Sequence, residues 1–321
     1  YMIVGFDIGG TKCAVILADS KDGKVSFLER REFPTIGTPE SVIERLLDTL
    51  YAELKSRGVT TNELTAAGIS CGGPLNGKRG LILSPPNLPG WDRVPITKMI
   101  KSRLNIPVKL CNDADACALA EWKYGAGKGT QNMVFLTFGT GLGAGLILNG
   151  KLYTGANNFA GEVGHIRLND QGPCGYGKIG SFEGFCSGAG IAKLAKNYAE
   201  EKFQMGKTVE FCSSIEKMNE ITAKSLYLAA KSGSKQAQEV FALSGKYLGR
   251  GLAVIADILN PEKIVIGGVY MRAHEFIEKA MKKSLKDEAL RIPARVQILP
   301  AGLGEKIGDY ATIVVAECFN I

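Results

Sequence analysis

Four short runs in this chain combine the side chains and backbone amides that phosphoryl chemistry needs. In Asp7-Ile8-Gly9-Gly10-Thr11-Lys12 an apolar strand ends in a carboxylate, and two glycines then let the backbone turn close to a ligand. Gly9, Gly10, Thr11 and Lys12 offer consecutive amides, a hydroxyl and a cation, which suits ATP phosphates, while Asp7 can hold Mg²⁺ through water. The same run also reads as a Gly-Gly hairpin turn that binds nothing. It is neither a Walker A sequence nor a GxGxxG opening a helix, because strand follows it. The second run, Phe138 to Gly145, repeats the logic with Gly139, Thr140, Gly141 and Gly143, its alternative being a bulged hairpin. Two such turns between apolar strands favour a pair of phosphate loops.

The third run is Cys111-Asn112-Asp113-Ala114-Asp115-Ala116. A carboxylate where a strand gives way to a helix stands where α/β sheets form their binding sites. Phosphoryl transfer to an alcohol needs one carboxylate to accept the hydroxyl proton, and Asp113 is the candidate. Helix capping by Asn112 or Asp113 is the plainer reading. The fourth run joins Ala160-Gly161-Glu162-Val163-Gly164-His165 to Cys174–Glu183. Glu162, His165 and Glu183 can each hydrogen-bond sugar hydroxyls, and each is also an ordinary loop or capping residue.

The elements that must position these runs follow from periodicity. Ile3–Asp7, Cys13–Ala18 and Val25–Phe33 read as three strands, Leu64–Cys71 as a fourth, with a Gly/Pro-rich loop after it from Gly72 to Trp91. Thr38 can cap a helix carrying Val42, Ile43, Leu46, Leu47, Leu50 and Leu54, stopped at Gly58. Val108–Cys111 leads into a helix from about Asp113 to Tyr124. Asn132–Phe138 and Ala144–Leu148 flank the second glycine turn, so a strand–glycine turn–strand unit occurs twice. Helices are expected over about Gly188–Lys202, Ser234–Leu259, Ala273–Lys286 and Asp309–Phe319, with a buried strand at Ile264–Ile266 ending in Gly267-Gly268. The pattern predicts an α/β protein of two related lobes across a cleft, the small lobe at 1–117 plus 304–321 and the large lobe at 118–303.

Bulk properties narrow the class. The 321 residues suit two domains, and 45% hydrophobic with 22% charged residues is a globular composition. The formal charge of +7 comes from Lys and Arg interleaved with Glu and Asp, which argues against a nucleic-acid partner. No apolar run is long enough to span a bilayer, and the strand at Met2 leaves no room for a leader, so the expectation is a cytoplasmic protein without a membrane partner. The eight cysteines are scattered without a CxxC pair and read as free thiols.

Together these runs resemble the ROK family of bacterial sugar kinases and sugar-responsive repressors. The resemblance rests on DIGGTK at Asp7–Lys12, PPNLPGW at Pro85–Trp91, CNDADACALAE at Cys111–Glu121, FGTGLGAGLILNGKLYTG at Phe138–Gly155, AGEVGH at Ala160–His165 and IVIGG at Ile264–Gly268. It implies the actin-like ATPase (ribonuclease H-like) fold and a glucokinase-type enzyme that transfers phosphate from ATP to the 6-hydroxyl of a hexose. Carried onto these positions, Gly9–Lys12 and Gly139–Gly143 hold the phosphates, Asp7 lies near Mg²⁺, and Gly267 and Gly268 border the adenosine. Asn112, Glu162, His165 and Glu183 hold the sugar with Asn87 as a further contact, and Asp113 is the general base. The resemblance also implies a homodimer.

One departure stands out. The family usually binds a structural zinc through the histidine of GEVGH and three cysteines of CxCGxxGC. This chain keeps His165 and Cys174 but has Tyr176 and Ser181 at the other two positions. Two protein ligands do not close a tetrahedral site, so no zinc is expected, and packing and hydrogen bonds must hold the loop. Three alternatives stand beside a glucose kinase: a kinase for N-acetylmannosamine, N-acetylglucosamine, allose or fructose; a repressor, which would carry a winged-helix domain ahead of Asp7; and a silent sugar- or nucleotide-binding protein.

Overall fold

The computed structural model describes residues 2–318; Tyr1, and Phe319 at the expected end of the last helix, lie outside it. Three strands open the chain: β1 (Met2–Ile8), β2 (Lys12–Lys21) and β3 (Lys24–Pro34). Asp22 and Gly23 both take positive φ, the two-residue hairpin geometry that Asp-Gly favours. Helix α1 (Pro39–Ser56) starts where Thr38 Oγ1 accepts from the Ser41 amide, and its apolar stripe from Val42 to Leu54 is buried. Strand β4 (Leu64–Cys71) follows. The run from Gly72 to Trp91, read as loop, contains a small hairpin of β5 (Leu75–Asn76) and β6 (Leu81–Ile82). Next come α2 (Ile96–Leu104), β7 (Val108–Asn112) and α3 (Asp113–Tyr124).

The sheet order is β3-β2-β1-β4-β7, with β1 antiparallel to β2 and parallel to β4, and β4 parallel to β7. The parallel strands β1, β4 and β7 end at Ile8, Cys71 and Asn112, so the turn at Gly9, the loop at Gly72 and the start of α3 all leave from one end of the sheet. One face of the sheet packs with α1 and α2 in a core built from Phe6, Leu17, Leu46, Ile69 and Ile100.

The second half supplies β8 (Met133–Phe138), β9 (Leu142–Leu148), β10 (Lys151–Leu152), the hairpin β11 (Cys174–Gly175) and β12 (Lys178–Ile179), and the short helix α4 (Phe182–Phe185). Helices α5 (Gly188–Gln204), α6 (Ala223–Lys231) and α7 (Lys235–Leu259) follow, then β13 (Lys263–Ile266), α8 (Val269–Glu288) and β14 (Gln297–Pro300). Strand β13 pairs in parallel with both β8 and β14. Ser234 caps α7, and Asn260 ends it in the left-handed conformation ahead of Pro261. Gly245 and Gly249 let α7 lie against α8 so closely that a Cβ at either would strike the Ile277 or Met281 carbonyl.

The last helix, α9 (Ile307–Glu317), lies on the other face of the first sheet with Ile3, Ile16, Ala66 and Ile313. Gly68 makes room for it, since a Cβ there would sit 2.6 Å from the Ala316 amide nitrogen. The chain divides into two compact units. One comprises the residues up to Gly129, Gly145–Ala160 and the chain from Gly302 on; the other comprises Thr130–Ala144 and Gly161–Ala301. Among the described residues, no helix is long and apolar enough to cross a membrane, and all eight cysteines are free.

Candidate active site

In the first unit the glycine turn after β1 is tied at its base. The Gly9 amide donates to the Lys12 carbonyl at 3.0 Å, and Thr35 Oγ1 donates to the Gly9 carbonyl at 2.7 Å. A Cβ on Gly10 would collide with the Asn87 backbone and stand 2.8 Å from the Asn87 Cβ, so the turn rests directly on the PPNLPGW loop. The side-chain amide of Asn87 then lies beside Gly72. A Cβ built on Gly72 would be 3.7 Å from Asn87 Nδ2 and 3.9 Å from Asp113 Oδ2, and one on Gly73 would be 3.1 Å from Asn112 Nδ2. Asn87, Asn112 and Asp113 therefore border one stretch of backbone, Gly72-Gly73, where any side chain would crowd them.

Asp113 is the first residue of α3. Its Oδ1 accepts from the Ala114 amide at 2.8 Å, and Asn112 Oδ1 caps the helix by accepting from the same amide at 3.0 Å. Capping and the candidate catalytic role thus coexist: the cap consumes one oxygen of each side chain and leaves Asp113 Oδ2 and the Asn112 NH₂. Part of the Asp113 side chain is open to solvent, yet surrounding protein raises its carboxyl pKa by desolvation, opposed by hydrogen bonds from the Ala114 amide and its own. Burial pushes Asp7 up to about 6, with Arg30 opposing the shift and Asp113 and Asp309 adding to it. Arg30 Nε pairs with Asp309 Oδ1 at 2.9 Å and also engages Glu32. Lys12, expected at the phosphates, extends its ammonium to Glu32 at 2.9 Å on the exposed side of the sheet.

In the second unit Gly139, Thr140, Gly141 and Gly143 turn the chain between β8 and β9. The Gly139 amide donates to the Gly141 carbonyl at 3.1 Å, and the Gly143 amide to Thr137 Oγ1 at 2.8 Å. Two helices begin against this turn. The Gly188 amide at the start of α5 donates to the Gly139 carbonyl at 2.7 Å. Gly268, at φ +65°, precedes α8 and abuts Phe138 so closely that a Cβ would strike the Phe138 carbonyl and stand 3.0 Å from the Gly139 nitrogen. Gly267 donates its amide to the Leu136 carbonyl at 2.9 Å. Helix N-termini converging on a glycine turn favour anionic ligands through their free amides and dipoles.

Glu183, in α4, joins the same neighbourhood. Its Oε2 accepts from the Leu142 amide at 2.9 Å and faces Gly141, where a Cβ would come within 2.7 Å of that oxygen. Glu162 and His165 bound a 3₁₀ turn in which the His165 amide donates to the Glu162 carbonyl at 3.2 Å. Gly164 packs between the Leu142 carbonyl and Glu183 Cβ, the latter 3.4 Å from a Cβ built on it. The His165 ring meets Tyr176 edge-on at 6.0 Å between centroids.

The sequence matches the ROK family from residue 3 to residue 314. This chain belongs to the ROK family. Its relatives include the glucokinase of Streptomyces coelicolor, 31% identical across 96% of this chain and 95% of that enzyme. They also include the xylose repressor of Caldicellulosiruptor bescii, 33% identical across 83% of this chain and 65% of the repressor. Among solved structures, the ROK glucokinase of Streptomyces griseus, in complex with glucose and AMPPNP, superposes with a TM-score of 0.76 at 30% identity, covering 99% of both chains. The fold is the actin-like ATPase fold of these ROK proteins.

Several members of the site were not singled out from the sequence. Gly72-Gly73 carried the cue of a double glycine after an apolar strand, the signal used at Gly9-Gly10. Arg30 and Asp309 carried none, because nothing local links a strand arginine to an aspartate 279 residues away.

For zinc, the donor set of this ROK chain does not fit. Cys174 is exposed, and Tyr176 and Ser181 stand at the other two ligand positions. Cys186 is fully buried and donates toward the Ser244 carbonyl at 3.5 Å. Among the described residues no group of three or more His, Cys, Asp or Glu side chains could hold a metal. Mg²⁺ makes a different demand, one or two carboxylates with waters and substrate phosphates, and the desolvated carboxyl of Asp7 beside a glycine turn fits it.

Proposed function

We propose that this chain is an ATP-dependent sugar kinase that phosphorylates a hexose at its 6-hydroxyl, with glucose first among the candidates and Asp113 as general base. The observation that carries the reading is the grouping of Asp113 Oδ2, Asn87 and Asn112 along Gly72-Gly73, with the Gly9-Gly10 turn seated on Asn87. Likeness to glucokinases over nearly the whole chain supports it.

In this reading Asn87, Asn112, Glu162, His165 and Glu183 orient the sugar by hydrogen bonds to its hydroxyls. The 6-hydroxyl gives its proton to Asp113 Oδ2 as its oxygen bonds to the γ-phosphorus and the bond from that phosphorus to the bridging oxygen breaks, leaving ADP. Desolvation of Asp113 by the surrounding protein raises its proton affinity, which strengthens it as a base. The Gly9–Lys12 and Gly139–Gly143 amides hold the phosphates, and Gly267-Gly268 borders the adenosine. Asp7 would hold Mg²⁺ through water, and the ion when bound would neutralise phosphate charge.

ADP release measured over a panel of glucose, N-acetylmannosamine, N-acetylglucosamine, allose and fructose tests the reading and ranks the substrates. Turnover of none of them would overturn it. The likeness to a xylose repressor favours one second reading, a sugar-responsive DNA-binding regulator. A sequence-specific gel shift released by sugar is its mark. We take the working form to be a homodimer, which light scattering on the purified protein checks.

A further inference from the structure

We propose that Lys178 is a positioning residue for His165, and that it does in this chain what a metal does in its zinc-binding relatives. The inference rests on the reading of His165 as a sugar contact. Lys178 Nζ donates to the His165 carbonyl at 2.8 Å, tying the β11–β12 hairpin to the turn that presents the imidazole. Two more cationic side chains end on backbone carbonyls of the same loop. Lys193 Nζ donates to Cys174 at 2.6 Å, and Arg167 donates a guanidinium N–H to Ile179 at 2.8 Å. Charge-assisted bonds of this kind are stronger than neutral ones, and together the three fasten both strands of the hairpin.

The residues at the two lost ligand positions take part. Ser181 Oγ donates to the Gly175 carbonyl at 3.0 Å and accepts the Gly184 amide at 3.0 Å, so one hydroxyl pins the hairpin and caps α4. Tyr176 and Gly177 form the hairpin corner at φ +55° and +68°. A tyrosine there is strained where glycine would be at ease, yet that conformation sets its ring edge-on to His165. Lys178 thus holds the backbone of His165 while Tyr176 flanks its ring. These are the two constraints that a zinc bond to the imidazole imposes in one step.

The protein has two histidines, so the Cε1–H region of its imidazole NMR spectrum has two signals, with that of His274 as internal reference. Lys178→Met should move the His165 signal and leave that of His274 in place. It should also raise the KM for glucose, or for the best substrate of the panel, about tenfold while the KM for ATP stays within about twofold. Lys178→Arg should restore both readouts. Tyr176→Gly should weaken sugar binding while keeping or raising the thermal midpoint, because it relieves the corner; a purely structural tyrosine would lower the midpoint. Stoichiometric zinc in the purified protein, or a His165 signal and sugar KM unmoved in Lys178→Met, would overturn the proposal. If no sugar is phosphorylated, the functional reading falls, and the NMR signal and metal content still judge the clip.

Discussion

The two glycine turns share a sequence pattern and differ in what surrounds them. The turn at Gly9 follows a carboxylate, lies in the unit that holds Asp113 and Asp309, and has its lysine paired with Glu32. The turn at Gly139 has helix starts at Gly188 and Val269 against it and one carboxylate, Glu183, already committed to the Leu142 amide. The first is a place of excess negative charge that a cation or a proton must balance. The second is a place where two helices begin, a setting whose dipoles favour an anion. One motif therefore supports two chemistries, and the neighbours decide which.

The sharpest way to break this contrast is at Asp113. Asp113→Asn keeps shape and removes the proposed base, so turnover should fall by about 10³-fold while sugar affinity, read by calorimetry, changes little. Unchanged turnover would remove the acidic turn's catalytic meaning. Next is Gly268→Ala, which forces a side chain into the Phe138 carbonyl at φ +65°. It should lower stability by about 2–4 kcal/mol in denaturant titration and raise the KM for ATP.

Asp7 offers a test with an opposite sign. Its folded-state pKa of about 6 lies above the ordinary 3.8, so its favourable contribution is complete below about pH 4 and is lost as pH rises through about 6. Asp7→Asn should therefore stabilise the protein at pH 8, by about 3 kcal/mol at most, with no gain at pH 4, while abolishing phosphorylation. Equal stability change at both pH values would refute the acidic character assigned to the first turn. The smallest effect belongs to Lys12→Met. With its ammonium on exposed Glu32, its loss should change the KM for ATP less than about threefold and stability by under about 1 kcal/mol. A large rise in that KM would show that the lysine leaves Glu32 for the phosphates.

Much of the fold was legible because it is local. Thr38, Ser234 and Asn260 mark helix ends by bonds within a few residues, and the apolar stripes of α1 and α7 repeat at helical spacing. Helix α8 began four residues before its expected start because Gly268, read as the end of a strand, also opens a helix. Helix α2 was hidden by the Pro-rich run ahead of it, although Ile96, Ile100 and Leu104 keep its period. Strand β14 is four residues long and exists by pairing with β13, so no local pattern announces it.

The sequence alone settled which backbone segments turn, cap and alternate, because those preferences act between residues a few positions apart. It also settled the family, through motifs in fixed order. Only the tertiary structure decided partners. Lys12 chose Glu32, Glu183 chose the Leu142 amide, and Lys178 chose the His165 carbonyl. Buried Glu121 shows the same rule, its carboxylate gathering amides from Ala126, Gly302 and Leu303 where the sequence offers only one more position on a helix. Such choices depend on which donors and acceptors the packed core brings within 3 Å of one another, and that distance is set by the fold as a whole.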